Sequence, residues 1–357
     1  MGYDVASMGI LVTILALSVV IFLHELGHFL VAKRTGIGIS EFAMGMGPKL
    51  VSRKIGDTTY SLRLIPIGGF VSVMGLDSQE EVPDSLNFYH KPIAHRLLTI
   101  LAGSITNILL GFFIFSALIF IVGHPTPTQT VVAVMPNSPA QKAGIRPQDR
   151  LLYLDNHPIR DTKRDFTQMV RKAKGRQISL TFLSSHQKKT MLLTPMLDQT
   201  NTPVIGVVLA TIQVKATIGK ALMMGAQDTW TYTELVGQSL WMLITGKASL
   251  KEMAGPVGIV QLASFGWKNG VASFFRIIGM ISVSLGVANL LPIPALDGGH
   301  ATLLIIEAIR KKRLPQKWES RIQTVGFSLL MALMVVIVCN DVFRWKSRDI
   351  PMRKSHL

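Results

Sequence analysis

The hydrophobic positions of this chain fall into two regimes. Four runs are apolar almost throughout, at about 7–32, 97–122, 274–294 and 325–343. Each is long enough to cross a bilayer, which takes roughly 20 such residues, and each predicts a transmembrane helix. From about Gln129 to Ala210 the pattern changes. The apolar stretches shorten to TVVAVM, LLYLDNHPI, QISLTFL and KKTMLLTPML, separated by turn residues, which predicts a small β-rich domain with one or two helices. Residues 214–265 mix Met, Trp and Leu with Lys, Gln and Asp at helical spacing. That pattern suits helices lying in a membrane interface or packed on the β-rich domain. The organisation expected is therefore a membrane half over 1–124, an inserted domain over 125–213, amphipathic helices over 214–271 and a second membrane half over 272–357.

Composition agrees with the pattern. Of 357 residues 48% are hydrophobic and only 16% charged, more apolar than one soluble core holds. The first run is too long for a cleavable signal peptide, carries Asp4 as its only early charge and has no small-residue cleavage site. It is expected to remain as a span. The single cysteine, Cys339, lies in the last run, so neither a disulfide framework nor a thiolate metal site is expected.

The net charge of +16 is scattered over loops and the middle domain, without a basic patch interleaved with aromatic residues. Nucleic acid is not an expected partner, and anionic lipid of the bilayer is. Lys33, Arg34, Lys49, Arg53, Lys54 and Arg63 follow the first run, and Arg310, Lys311, Lys312, Arg313, Lys317 and Arg321 separate the third and fourth. With four crossings both loops lie on one side, which the positive-inside rule makes cytoplasmic. The basic tail, with Arg344, Lys346, Arg348, Arg353 and Lys354, counts the other way.

Ionisable residues inside the first run require a reason, because a charge at mid-bilayer costs on the order of 2.5–3.5 kcal/mol on insertion scales. The stretch FLHELGHFLVAK holds His24, Glu25 and His28. Four residues apart on a helix, the two imidazoles share a face. In H-E-x-x-H they bind zinc and the glutamate is the general base. Such zinc sites take a third protein ligand. Asp297, His300, Glu307 and Asp341 are the candidates in or near spans. His24 lies about 26 Å along its helix, at 1.5 Å per residue, and Asp297 closes the third run, of like direction, at a similar depth. Asp341 falls at the opposite side and Glu307 further into the loop. Asp297 is therefore the expected third ligand, with His300 supporting it. Pro292 and Pro294 break the helix before Asp297, while Gly298 and Gly299 permit close backbone approach after it.

HELGH and NLLPIPALDGG together resemble the two signature motifs of the site-2 protease family of intramembrane zinc metalloproteases, most closely its bacterial RseP-type members with a PDZ domain. The similarity runs over nearly the whole chain. AGSITN resembles the family's second-span motif, YSLRLIPIGGFVSVMG its re-entrant β-hairpin, here at about 58–76, and VMPNSPAQKAGIRPQDRLLYLDNHPI a bacterial PDZ domain. Three features depart from the pattern. Ser104 stands where the motif has proline, Gln148 where PDZ domains often have glycine, and one PDZ-like unit where the best-known relatives have two.

The resemblance implies a fold of four transmembrane helices, a re-entrant hairpin and an inserted PDZ-like domain. It implies zinc as cofactor on His24, His28 and Asp297, Glu25 as base, and Asn289 with the strand around Gly68, Gly69, Phe70 and Val71 as substrate-binding elements. It further implies a multi-pass protein of the bacterial inner membrane, with the PDZ-like domain outside, open to a peptide end, and the active site towards the cytoplasm. Its substrates would be single-pass membrane proteins, such as anti-sigma factors or remnant signal peptides. One alternative is a non-catalytic PDZ-containing receptor for peptide ends. Another is a zinc protease acting on soluble peptides at the membrane surface.

Overall fold

In the computed structural model the described residues are 2–76, 82–160, 162–173, 175–198, 202–247 and 255–346. The basic tail beyond Lys346 lies outside them. The chain divides into two compact units, one made of the residues up to Leu118 and from Ile218 onward, the other of Ile119–Thr217.

The first unit opens with helix α1 (Gly2–Thr35), followed by strands β1 (Ile39–Ile55) and β2 (Thr58–Val73) and helix α2 (Ile93–Ile121). Among the described residues four helices are long and apolar enough to cross a membrane, at Ser7–Thr35, Ile93–Ile121, Val271–Asn289 and Trp318–Phe343. They match the four apolar runs. The third stops at Asn289 rather than at 294, because Pro292 and Pro294 have no N–H for continued helix bonding.

Strands β1 and β2 are each bent into halves, so two strands make four segments, the outer pairs antiparallel and the central pair, 58–63 with 39–44, parallel. Val51 stands opposite Leu62, Tyr60 opposite Phe42, and Ala43 opposite Phe70. The spatial order is therefore 49–55, 58–63, 39–44 and 69–73. Gly45 and Gly47 supply the bend in β1 with φ of +85° and +84°, a region open to glycine at little cost. The hairpin thus begins at Ile39, earlier than the sequence reading of about 58–76, because the turn glycines lie inside a strand rather than between two. Among the described residues no other strand joins this sheet, so segments 49–55 and 69–73 form its two edges.

The second unit is β-rich. It comprises β3 (His124–Val134), α3 (Pro139–Lys142), β4 (Arg150–Leu154), β5 (His157–Pro158), α4 (Gln168–Ala173), β6 (Ile178–Ser184), β7 (Gln187–Leu193), β8 (Met196–Leu197), β9 (Pro203–Val204) and β10 (Val207–Val214). The main sheet runs β10-β3-β4-β6-β7. Val131, Leu151, Leu154, Leu180 and Phe182 form its core with Val170 of α4. Gln148 takes φ +73°, so the backbone has the left-handed form for which glycine is the default.

The first unit resumes with α5 (Ile218–Ile244), α6 (Pro256–Lys268), α7 (Val271–Asn289), α8 (Asp297–Arg310) and α9 (Gln316–Lys346). Small residues bring its helices together. A β-carbon at Gly27 of α1 would stand 2.8 Å from the Ala102 carbonyl oxygen of α2, and one at Gly286 of α7 would stand 2.7 Å from that of Ser104. Close crossing at small residues is how helices pack where lipid removes the hydrophobic drive.

Candidate metal centre

His24 and His28 lie one turn apart on α1, and the loop after α7 delivers Asp297 as the first residue of α8. That loop is compact. A β-carbon at Gly299 would stand 2.9 Å from Pro294 Cα, and the Ala295 N–H, on a residue with φ +73°, donates to Gln323 Oε1 of α9 at 2.5 Å. Among the described residues His24, His28 and Asp297 form a group able to hold a metal ion, with donor atoms within 4.8 Å of one another. His300, Glu307 and Asp341 lie outside this group. Glu307 pairs with Arg96 at 2.6 Å, and Asp341 accepts backbone N–H bonds at the start of α6.

The separations fit a tetrahedral ion. Ligand atoms bound tetrahedrally at roughly 2.0–2.1 Å stand about 3.3–3.4 Å apart. Here the two Nε2 atoms are 3.2 Å apart, and Asp297 Oδ2 lies 3.4 Å from His24 Nε2 and 3.5 Å from His28 Nε2. His24 is only 6% exposed. With neutral imidazoles, the three donor atoms are close enough together to share one ion.

Helix α2 orients every member of the triangle. His28 Nδ1 donates its proton to the Thr99 carbonyl at 2.8 Å, which leaves the Nε2 lone pair facing inward. His24 Nδ1 lies 3.1 Å from the carboxamide of Asn107, whose oxygen is buried without another partner. The two ends of a carboxamide have nearly the same shape, and with the oxygen turned toward His24 it accepts the Nδ1 proton and frees Nε2 likewise. Ser104 Oγ donates to Asp297 Oδ2 at 2.9 Å. Thr99, Ser104 and Asn107 were not singled out as site residues from the sequence. Ser104 and Asn107 did carry the signal that marked HELGH, polar side chains inside an apolar span.

The other predicted residues fall nearby. Glu25 follows His24, interacts electrostatically with His28 and lies against the hairpin, where a β-carbon on Gly69 would stand 3.7 Å from its Cγ. Asn289 Nδ2 is 3.4 Å from His24 Nε2. Gly68 takes φ +81°, Phe70 carries the Arg63 guanidinium 4.8 Å from its ring centre, and Val71 packs on the cluster of Ala32, Ile39 and Ile100. Further along α1, Ser18 donates to the Pro66 carbonyl at 2.5 Å. Strand β2 therefore follows α1 from Ser18 to Glu25.

The chain is similar to known proteins over most of its length. The model of the family described as Peptidase family M50 matches residues 12–333. A Clostridium perfringens protein named for zinc metalloprotease activity is 38% identical over 94% of this chain and 98% of its own length. The zinc metalloprotease RasP of Bacillus licheniformis is 28% identical over 93% of this chain and 98% of its own. Among solved structures, the PDZ domain of an SdrC-like protein from Listeria monocytogenes aligns with 25% of this chain and 93% of itself, at 17% identity and a TM-score of 0.22.

Proposed function

Since the chain belongs to peptidase family M50, we propose that it is a zinc-dependent intramembrane endopeptidase with His24, His28 and Asp297 as ligands and Glu25 as general base. One observation carries this reading: three donor atoms stand 3.2–3.5 Å apart, and two of them lie inside a helix apolar enough to span a bilayer. Zinc, when bound, supplies Lewis acidity that polarises a carbonyl and makes water a nucleophile near neutral pH.

The chain's own residues do the rest. Glu25 takes a proton from the attacking water and returns it to the leaving amine. A substrate helix keeps its peptide groups in internal hydrogen bonds, so it must be unwound before attack. Segment 69–73 is a sheet edge beside Glu25, and an extended substrate adds to it as a further strand. Asn289, next to His24, donates to a substrate carbonyl. The substrates are transmembrane segments of single-pass proteins, in the manner of anti-sigma factors or remnant signal peptides. The hairpin re-enters the membrane from the cytoplasmic side of a bacterial inner membrane. The β-rich unit lies outside and receives a peptide end as PDZ domains do. Helix α5, with Trp230 and Trp241 70% and 64% exposed, lies in the outer interface, where tryptophan is favoured.

The test is zinc content and cleavage of a model transmembrane substrate in detergent for wild type, Glu25→Gln and Asp297→Ala. The expected result is one zinc per chain in wild type and Glu25→Gln, weak zinc in Asp297→Ala, and cleavage reduced by about 10²–10⁴-fold in Glu25→Gln. Cleavage retained by Glu25→Gln overturns its role. A wild type without zinc or cleavage overturns the whole reading in favour of a peptide receptor.

A further inference from the structure

Ser104 is fully buried, and its hydroxyl departs from the habit of its neighbours. Serine and threonine inside helices commonly return the hydroxyl to the carbonyl four residues back. Thr13 and Thr35 of α1, Thr99 of α2 and Thr229 of α5 do so. Ser104 Oγ instead crosses to α8 and donates at 2.9 Å to Oδ2 of Asp297. That oxygen is the one facing both imidazoles, at 3.4 and 3.5 Å.

The surroundings fix both partners. Gly286 lets α7 lie against the Ser104 carbonyl, and Ser282 Oγ donates to the Asn107 carbonyl at 2.8 Å, so α7 holds this turn of α2. On the other side, Gly298 packs against the carbonyls of Leu290 and Leu291 and holds the start of α8. What remains free is rotation of the carboxylate about its last torsion, which is broad for aspartate. A charge-assisted hydrogen bond to one oxygen removes that freedom.

We infer that Ser104 is a positioning residue of the metal site, its hydroxyl holding the Asp297 carboxylate so that Oδ2 is presented to the ion. The inference rests on the reading of His24, His28 and Asp297 as ligands. The carboxylate then arrives preorganised and offers one oxygen rather than two. Outer partners of this kind are worth about 10–100-fold in metal affinity.

The experiment measures zinc affinity of the full chain in detergent by competition with a chromophoric chelator. It compares wild type, Ser104→Ala, Asp297→Ala and the double variant, and records the cobalt d–d spectrum of each. Alanine removes one oxygen from a buried position and adds nothing to it. The expected result is a 10–100-fold loss of affinity in Ser104→Ala, with a cobalt spectrum altered from wild type. The same change made on top of Asp297→Ala should weaken binding by less than about threefold, since its partner is already gone. Equal affinity in wild type and Ser104→Ala overturns the inference, as does an equal loss in both backgrounds, and either leaves the assignment of the ligands standing. A wild type that binds no zinc removes that assignment and this inference together.

Discussion

Gly103 and His28 claim the same space: a β-carbon on residue 103 would overlap the His28 ring at Nε2. The imidazole can face Asp297 only because α2 has no side chain at that point. Gly103→Ala should therefore displace the His28 ring and weaken zinc binding at least as much as loss of an outer partner, by about 10–100-fold. Gly237→Ala is the control, since Gly237 is an exposed residue of α5 with nothing near its missing side chain. That change should leave zinc affinity unaltered and stabilise the helix by about 0.5–1 kcal/mol. Chelator competition and an unfolding titration distinguish the two.

Gly69 has a different constraint. A β-carbon there would stand 2.7 Å from the Ala43 carbonyl oxygen, so Gly69→Ala must push the edge segment away from its partner. The zinc donors are untouched. Cleavage should fall by as much as about 10²-fold, the cost a displacement near 1 Å can impose on a reacting geometry, while zinc content stays at wild-type level. A variant that cleaves normally would remove the edge segment from the substrate path.

Asp341 joins α9 to α6. It is 6% exposed, and its carboxylate accepts the Gly258 N–H at 2.9 Å and the Gly255 N–H at 3.3 Å, at the first turn of α6. Its own helix needs the tie, because only 6% of the α9 span window is buried against 22–33% for the other three. Asp341→Ala strands buried donors and should cost about 1–3 kcal/mol, read from equilibrium unfolding in mixed micelles. Asp341→Asn retains an acceptor oxygen and should cost less. Zinc content should not change in either.

Glu41 gives the hairpin a pH dependence. Burial pushes its carboxyl up, but hydrogen bonds from Ser61, Arg63 and Lys49 outweigh burial and hold it below its ordinary value of 4.5. A carboxyl with a depressed folded value stabilises the fold above its unfolded value, and that stabilisation is lost as pH falls through the folded one. The loss should thus occur below about pH 4.5 and be absent at neutral pH. The Glu41 carboxyl carbon, followed by NMR, should titrate below 4.5 in wild type, and Arg63→Gln should raise its midpoint. An unchanged midpoint in that variant would assign the depression to the other two donors.

Much of this molecule was legible in the sequence because its main signals are local. A run of apolar residues reports a span wherever it occurs, and the positions of the four helices follow from that alone. His24 and His28 are one helical turn apart by spacing, and the break at Pro292 and Pro294 set Asp297 at a comparable depth. The pairing of this hairpin from Ile39 onward was not legible there, since Gly45 and Gly47 bend a single strand rather than separate two.

What only the tertiary structure decided is how α2 serves the site. The Thr99 carbonyl, Ser104 and Asn107 each meet a different member of the triangle, across 71, 193 and 83 residues of chain. Those meetings depend on where helices cross, and the crossings are set by the absence of side chains at Gly27, Gly103 and Gly286. In the sequence these glycines look like any others in an apolar span, because a contact that needs a gap on one helix and a side chain on another leaves no periodic trace in either. The sequence by itself singled out the residues on which the proposed chemistry rests. The packing of the helices determined which way those residues face.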